Sequence, residues 1–136
     1  MTETRSAPTL EGWYSDRGEI SDLIHRLLAA FEEGEMALVT PAFREFQKVI
    51  LGHLSIEEEV VFPKAEESHP GQAQPIHSLR LAHIGIRADI ARIGEQIERS
   101  HLEAARAMLD AFLDSFGAHE RLEDQLFHLL KSSQSA

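Results

Sequence analysis

Apolar residues recur at intervals of three and four through most of the chain, the spacing of helices that bury one face. Four such stretches separate cleanly. The first carries Ile20, Ile24, Leu27, Leu28 and Phe31. Asp16 and Glu19 have the form of a capping box, and Gly34 stands where a C-cap belongs, so a helix is predicted over residues 16–33. The second opens at Thr40-Pro41, a cap followed by proline at the first helical position. Its stripe runs Phe46, Ile50, His53, Glu57, Val60, and Pro63 is expected to limit or kink it. After a loop through Ser68, Pro70 and Gly71, the third starts near Gln74-Pro75 and carries Ile76, Leu79, His83, Ile86, Ile90, Ile93 and Ile97. Ser100 and Glu103 make another capping box ahead of the fourth, with Leu109, Phe112, Phe116, His119, Glu123, Leu126 and Leu130.

Short connections between amphipathic helices favour antiparallel neighbours. The expected fold is therefore all-α, an antiparallel up-down-up-down four-helix bundle. A length of 136 residues suits one domain. Its expected limits are 16–131, with residues 1–15 a tail that packs through Trp13 and Tyr14, and 132–136 a frayed C-terminus.

The stripes are interrupted at informative places. His53, Glu57, His83, His119 and Glu123 occupy stripe positions, where a bundle buries its side chains. Residues four apart share a helix face, so His53 points with Glu57, and His119 with Glu123. An uncompensated buried polar group costs roughly 2–7 kcal/mol, against a net stability of about 5–15 kcal/mol for a domain. Five such groups must be matched by each other, by water or by a cation. One reading is a closed network of hydrogen bonds. The other is a metal site, because imidazole nitrogen and carboxylate oxygen without sulfur are ligands for iron, manganese or zinc. His25 is a sixth candidate. It lies beside the best apolar line of the first helix, with Ser21 and Leu28 on its own face.

Composition narrows the chemistry. The chain has no cysteine, which excludes disulfides, thiolate zinc sites, iron–sulfur clusters and cysteine nucleophiles. A formal charge of -10 repels phosphate backbones, so no nucleic-acid partner is expected. No basic cluster points to a membrane surface, no apolar run is long enough to span a bilayer, and the N-terminus does not read as a secretory signal. A cytoplasmic protein is expected. Eight histidines in so short a chain remain to be accounted for.

The two halves echo each other. His25 is followed by His53 and Glu57, and His83 by His119 and Glu123, with HLSIEEEVVF matched by HERLEDQLF. This order, His…His-x-x-x-Glu twice over, resembles the hemerythrin-like cation-binding (HHE) domain family, and IEEEVVFP after His53 is similar to a common family sequence. The resemblance covers about residues 16–131. It implies a diiron centre in which His25 and His53 bind one iron, His83 and His119 the other. Glu57 and Glu123 bridge them, with an oxo or hydroxo group between. The sequence departs from the oxygen-carrying members. Leu79 and Arg87 stand where those members have a second helix-three histidine. The carriers' His-x-x-x-x-Asp would select Asp124, whereas the stripe selects Glu123. An open coordination position favours redox chemistry or sensing over oxygen carriage, with His77 or Glu58 as accessory ligands.

Three functions follow from these features. The first is an enzyme or oxidant-reactive centre taking dioxygen, peroxide or nitric oxide, in stress protection or iron handling. The second is a non-catalytic sensor of oxygen, nitric oxide or iron, which needs a homodimer or protein partner to pass on its signal. The third is a metal-free interaction bundle. Ferritin-like Glu-x-x-His pairs at Glu66/His69 and Glu98/His101 lie off the core stripes.

Overall fold

The computed structural model describes residues 9–134. Five α-helices follow one another: α1 (Leu10–Glu33), α2 (Met36–Ile56), α3 (Phe62–Ser68), α4 (Ala73–Glu98) and α5 (Leu102–Gln134). A π-turn, Glu57–Val61, joins α2 to α3 without a break, and a 3₁₀ turn, Pro70–Gln72, leads into α4. The α2–π–α3 run acts as one arm, so the bundle has four arms, with α1 packed on α2 and α4 on α5. Among the described residues there is no strand. No described helix is long and apolar enough to cross a membrane.

Two helices begin earlier than their local start signals suggest. Helix α1 starts at Leu10, where Thr9 Oγ1 accepts the Gly12 N–H at 2.9 Å. Asp16 is then mid-helix and caps nothing. Residues 10–15 belong to the bundle and not to a tail, because Trp13 is pulled in to 2% exposure. The expectation for Tyr14 concerns a side chain that lies outside the described ones. Helix α2 starts at Met36, leaving only Gly34 and Glu35 as the turn. Pro41 is therefore inside the helix. Its missing N–H leaves the Ala37 carbonyl without an intrahelical donor, and both residues are exposed, so water can serve.

The turns show why the second expected capping box does not form. Gly34 ends α1 at φ 71°, as its position suggests. Ser100 has φ 61° and ends α4 in the same left-handed way, its N–H reaching Ile97 O and the His101 N–H reaching Gln96 O. Serine thus sits where glycine is favoured, and it terminates α4 instead of capping α5. Ser100→Gly is expected to raise stability by about 0.5–1 kcal/mol, measured by urea unfolding. Lower stability in the variant would show that the serine side chain contributes more than its backbone strain removes.

The π-turn changes which residues face inward. The Phe62 N–H bonds Glu57 O, five residues back. The extra residue moves the buried line forward by one, so Val60 is exposed while Val61, Phe62 and Ala65 are buried. Val60 is thereby removed from the expected stripe. Pro63 has no N–H to continue the i→i+5 pattern onto the Glu58 carbonyl, and Arg80 Nη1 donates to that carbonyl at 3.3 Å instead. The helix neither stops nor loses the carbonyl's partner at Pro63.

The core is two apolar clusters separated by a polar layer. The larger runs from the α1–α2 and α4–α5 turns to Ile20, Leu54, Ile86 and Phe116. The smaller holds Trp13, Val61, Phe62, Ile76, Leu79 and Leu126 at the opposite end. Among the described residues five polar side chains are buried, His53, Glu57, His83, His119 and Glu123, and all lie between them.

Candidate metal centre

Each arm of α2, α4 and α5 delivers its polar residues to the same depth. On α2, His53 and Glu57 are one turn apart, and His53 Nε2 lies 3.2 Å from Glu57 Oε2. On α5, His119 Nε2 lies 3.2 Å from Glu123 Oε1 in the same i,i+4 relation. His83 of α4 reaches between them. Its Nε2 is 2.9 Å from Glu57 Oε1 and 3.1 Å from His119 Nε2. One donor atom each from Glu57, His83, His119 and Glu123 falls within 4.8 Å of the others, and all four residues are buried.

Burial sets the charge state. Burial pushes the His119 imidazole down to about 4, so it is neutral at neutral pH and its ring keeps a lone pair. Burial alone would raise the Glu57 carboxyl. The nearby His53 and His83 rings, the first within hydrogen-bonding reach of Oε2, outweigh it and hold the group at about 2. A neutral imidazole beside an ionised carboxylate is the state in which both can bind a cation.

A test of fit comes from the unpaired atoms. Glu57 Oε1 and Glu123 Oε2 are buried without a hydrogen-bond partner, as are the Nδ1 atoms of His53 and His119. Glu57 Oε1 is near His83 Nε2 but off the direction of a ring hydrogen bond, so it gains attraction without satisfaction. A closed hydrogen-bond network would not leave carboxyl oxygens bare at its centre. These residues fit a cation held by nitrogen and oxygen.

The surroundings orient the atoms of the cluster. Glu58 Oε2 is 2.7 Å from His83 Nδ1, and Arg87 Nη2 holds Glu58 at 3.0 Å. A proton on Nδ1, donated to Glu58, leaves His83 Nε2 free to face the cluster, the arrangement that fixes metal-binding imidazoles. Burial works to raise Glu58, but His83 and Arg87 bring it below the ordinary carboxylate range. Glu57 and Glu58, consecutive at the start of the π-turn, thus stand at opposite nitrogens of the His83 ring. Trp13 Nε1 donates to Glu57 Oε2 at 2.7 Å, and the indole stacks on His53 with ring centroids 6.5 Å apart. Asp16 Oδ2 stands 3.9 Å from His53 Nδ1. Arg17 ties α1 to α5 through Glu120 at 3.2 Å and through Asp124. Burial lowers the Arg17 value, but Asp124 and Glu120 outweigh it and raise the guanidinium above its ordinary range.

Four of the six expected ligands, Glu57, His83, His119 and Glu123, are thus brought together; His53 is buried beside them against Glu57 Oε2, and His25 is not brought in. It is exposed, and its Nδ1 bonds Ser21 O at 2.8 Å on its own helix. The reason is depth along the bundle. His53 lies as far beyond the Gly34–Glu35 turn as Asp16 lies before it, so His25 is nine residues, about 14 Å, short of the layer. Glu123 and not Asp124 enters the cluster; Asp124 faces Arg17 nearer the surface. His77 is exposed, Leu79 is core, and Arg87 serves Glu58. Sequence reasoning missed the role of Trp13. Its signal was present, since Trp13 is seven residues before Ile20 and extends that stripe by two turns.

Comparison with known proteins agrees with this geometry. No curated protein and no solved structure matched the chain. The family model for the hemerythrin HHE cation-binding domain matches residues 10–133, nearly the whole chain and with the same N-terminal limit as α1. On that match, and with its buried His/Glu cluster, the chain belongs to the hemerythrin HHE cation-binding domain family.

Proposed function

We propose that the cluster is a non-haem iron centre that binds or reacts with a small oxidant: dioxygen, peroxide or nitric oxide. The observation that carries this reading is the gathering of one donor atom each from His83, His119, Glu57 and Glu123 within 4.8 Å, in residues whose carboxyl groups each keep an unpaired oxygen. Nitrogen and carboxylate donors without sulfur suit iron. When bound, iron would supply reversible ligand binding or electron exchange with the oxidant. His83, His119, Glu57 and Glu123 would hold it, with His53 on the far side of Glu57.

The chain's own residues limit what reaches the centre. Phe62 packs 5.3 Å from the His83 ring and Phe116 6.4 Å from the His119 ring. A cleft of about 240 Å³ between Glu58, Arg80, Ile84 and Arg87 reaches His83. It is an open depression that touches His83 without opening onto Glu57, His119 or Glu123, so only a small ligand would pass from it to the cluster. A partner-dependent sensor is the second reading. An apolar groove between α4 and α5, where Leu122 is 50% exposed beside Ile76, Leu79 and Leu126, supports it by offering a surface through which a state could be read.

Anaerobic Fe(II) loading followed by oxygen and then hydrogen peroxide tests the proposal. Retained iron, a near-ultraviolet absorption change and oxygen evolution from peroxide are the results expected of an oxidant-consuming centre. Reversible binding without turnover selects the sensor. His83→Ala should lower iron affinity at least about tenfold. Failure of the wild-type protein to retain iron would defeat both readings.

A further inference from the structure

The two oxygens of Glu57 live in different surroundings. Oε2 receives the Trp13 indole N–H at 2.7 Å and faces His53 Nε2 at 3.2 Å. A carboxylate oxygen has two lone-pair sites, and both directions are taken by ring nitrogens. Oε1 has no hydrogen bond and lies 2.9 Å from His83 Nε2, on the side from which His119 Nε2 approaches the same nitrogen at 3.1 Å. One side of the carboxylate is therefore committed to protein and the other is open.

The ligands are divided in the same way. On the Oε1 side stand two imidazoles and a second carboxyl group, His83 from α4 and His119 and Glu123 from α5. Around Oε2 stands a single imidazole, His53. Helix α1 faces that side with Trp13, which can only donate, and with Asp16, whose carboxylate is nearer to Nδ1 of His53 than to the cluster side of the ring. Its histidine, His25, is too far along the bundle to join.

We infer that the two halves of this centre are unequal: one cation is held tightly by Glu57 Oε1, His83, His119 and Glu123, while Trp13 keeps a second from settling between Glu57 Oε2 and His53. This rests on the reading above that the cluster holds a metal cation. Trp13 is a positioning residue here. Its N–H turns Glu57 so that one oxygen is presented to the cation, and its ring covers the face of His53. The usual symmetric pair of ions is replaced by a single strong position and a blocked one.

Anaerobic Fe(II) titration of the wild-type chain and of Trp13→Phe distinguishes the possibilities. Phenylalanine keeps a ring over His53 and removes only the N–H and part of the area. Circular dichroism establishes that the variant is folded. The wild type should retain one iron per chain after desalting. Trp13→Phe should bind a second with affinity raised about tenfold or more. A spectroscopic readout separates this from a loosened fold: wild-type protein oxidised to the ferric state should give the paramagnetic resonance of an isolated ion, and the doubly loaded variant a coupled, silent pair. Trp13 is also the chain's only tryptophan, so wild-type fluorescence should saturate at one equivalent. Two equally tight irons in the wild type overturn the inference and leave the proposed function standing. An unchanged single iron in folded Trp13→Phe removes Trp13 as the determinant and likewise overturns it. No iron in either protein overturns the inference together with the reading it rests on.

Discussion

Lowering the pH of the metal-free protein from 6.5 to about 4 is expected to remove about 3 kcal/mol of stability through His119 alone. In the unfolded chain this imidazole takes up a proton near its ordinary value of 6.5, but burial holds the folded one at about 4. Between those limits the unfolded state binds more protons, so stability falls as pH falls. Below 4 both states are protonated and this contribution is fully lost. Glu57 then adds a second stage. Its carboxylate is held at about 2 against an ordinary 4.5, so the stability it brings is present above 4.5 and disappears as pH drops towards 2. Against a total of about 5–15 kcal/mol, the first stage alone is a large fraction. Urea unfolding at a series of pH values should show it, and His119→Gln should flatten the slope between 6.5 and 4. A metal-free wild type whose stability does not change over that interval would show that His119 is solvated in the folded protein.

Bound cation should move this profile to lower pH, since protons and metal compete for the same lone pairs. At a free metal concentration 100 times Kd the gain is about 2.7 kcal/mol, nearly offsetting the His119 loss. The acid sensitivity is thus a property of the buried His/Glu cluster. It arises because three imidazoles and two carboxyl groups are placed between apolar clusters that give them little water.

That placement was legible in the sequence for a physical reason. Helical periodicity tells which face a residue takes, and all five buried polar groups lie on their helices' buried faces. Periodicity says nothing about depth along the axis. Depth depends on where the turns fall, and α2 begins at Met36 instead of at Thr40. With the turn at Gly34–Glu35, Asp16 and not His25 meets His53. The π-turn was hidden for a related reason. Val60 and Val61 are both apolar, so nothing in composition distinguishes the one that faces water from the one that is buried. The start of α1 was misplaced because a local capping pattern at Asp16 competed with burial of Trp13, and tertiary packing prevailed over the local signal. The early start matters to the centre, because it is the added turn that carries Trp13 to Glu57.

The second large effect has opposite signs with and without metal. Glu123→Leu is expected to raise the stability of the metal-free protein by about 1–3 kcal/mol while greatly weakening cation binding. Glu123 is 2% exposed, and its Oε2 has no hydrogen-bond partner. A buried polar atom left in that state is a standing penalty, which an aliphatic side chain removes. Removing one member of a buried ion pair usually destabilises by leaving the other charge stranded. That does not apply here. His119 is neutral at pH 7, and its Nε2 keeps His83 Nε2 at 3.1 Å as a partner. The only group relieved is the carboxyl itself. In the presence of metal the order should invert, since the wild type gains binding free energy that the variant cannot. Urea unfolding of both proteins, with and without Fe(II) under anaerobic conditions, measures all four states. A metal-free Glu123→Leu protein less stable than the wild type would mean that the carboxyl is a structural hydrogen-bonding group, and the reason for assigning it to a cation would be lost. Opposite signs in the two states would mark Glu123 as a group that serves a bound cation, and a single substitution there separates its cost to the empty bundle from its part in binding.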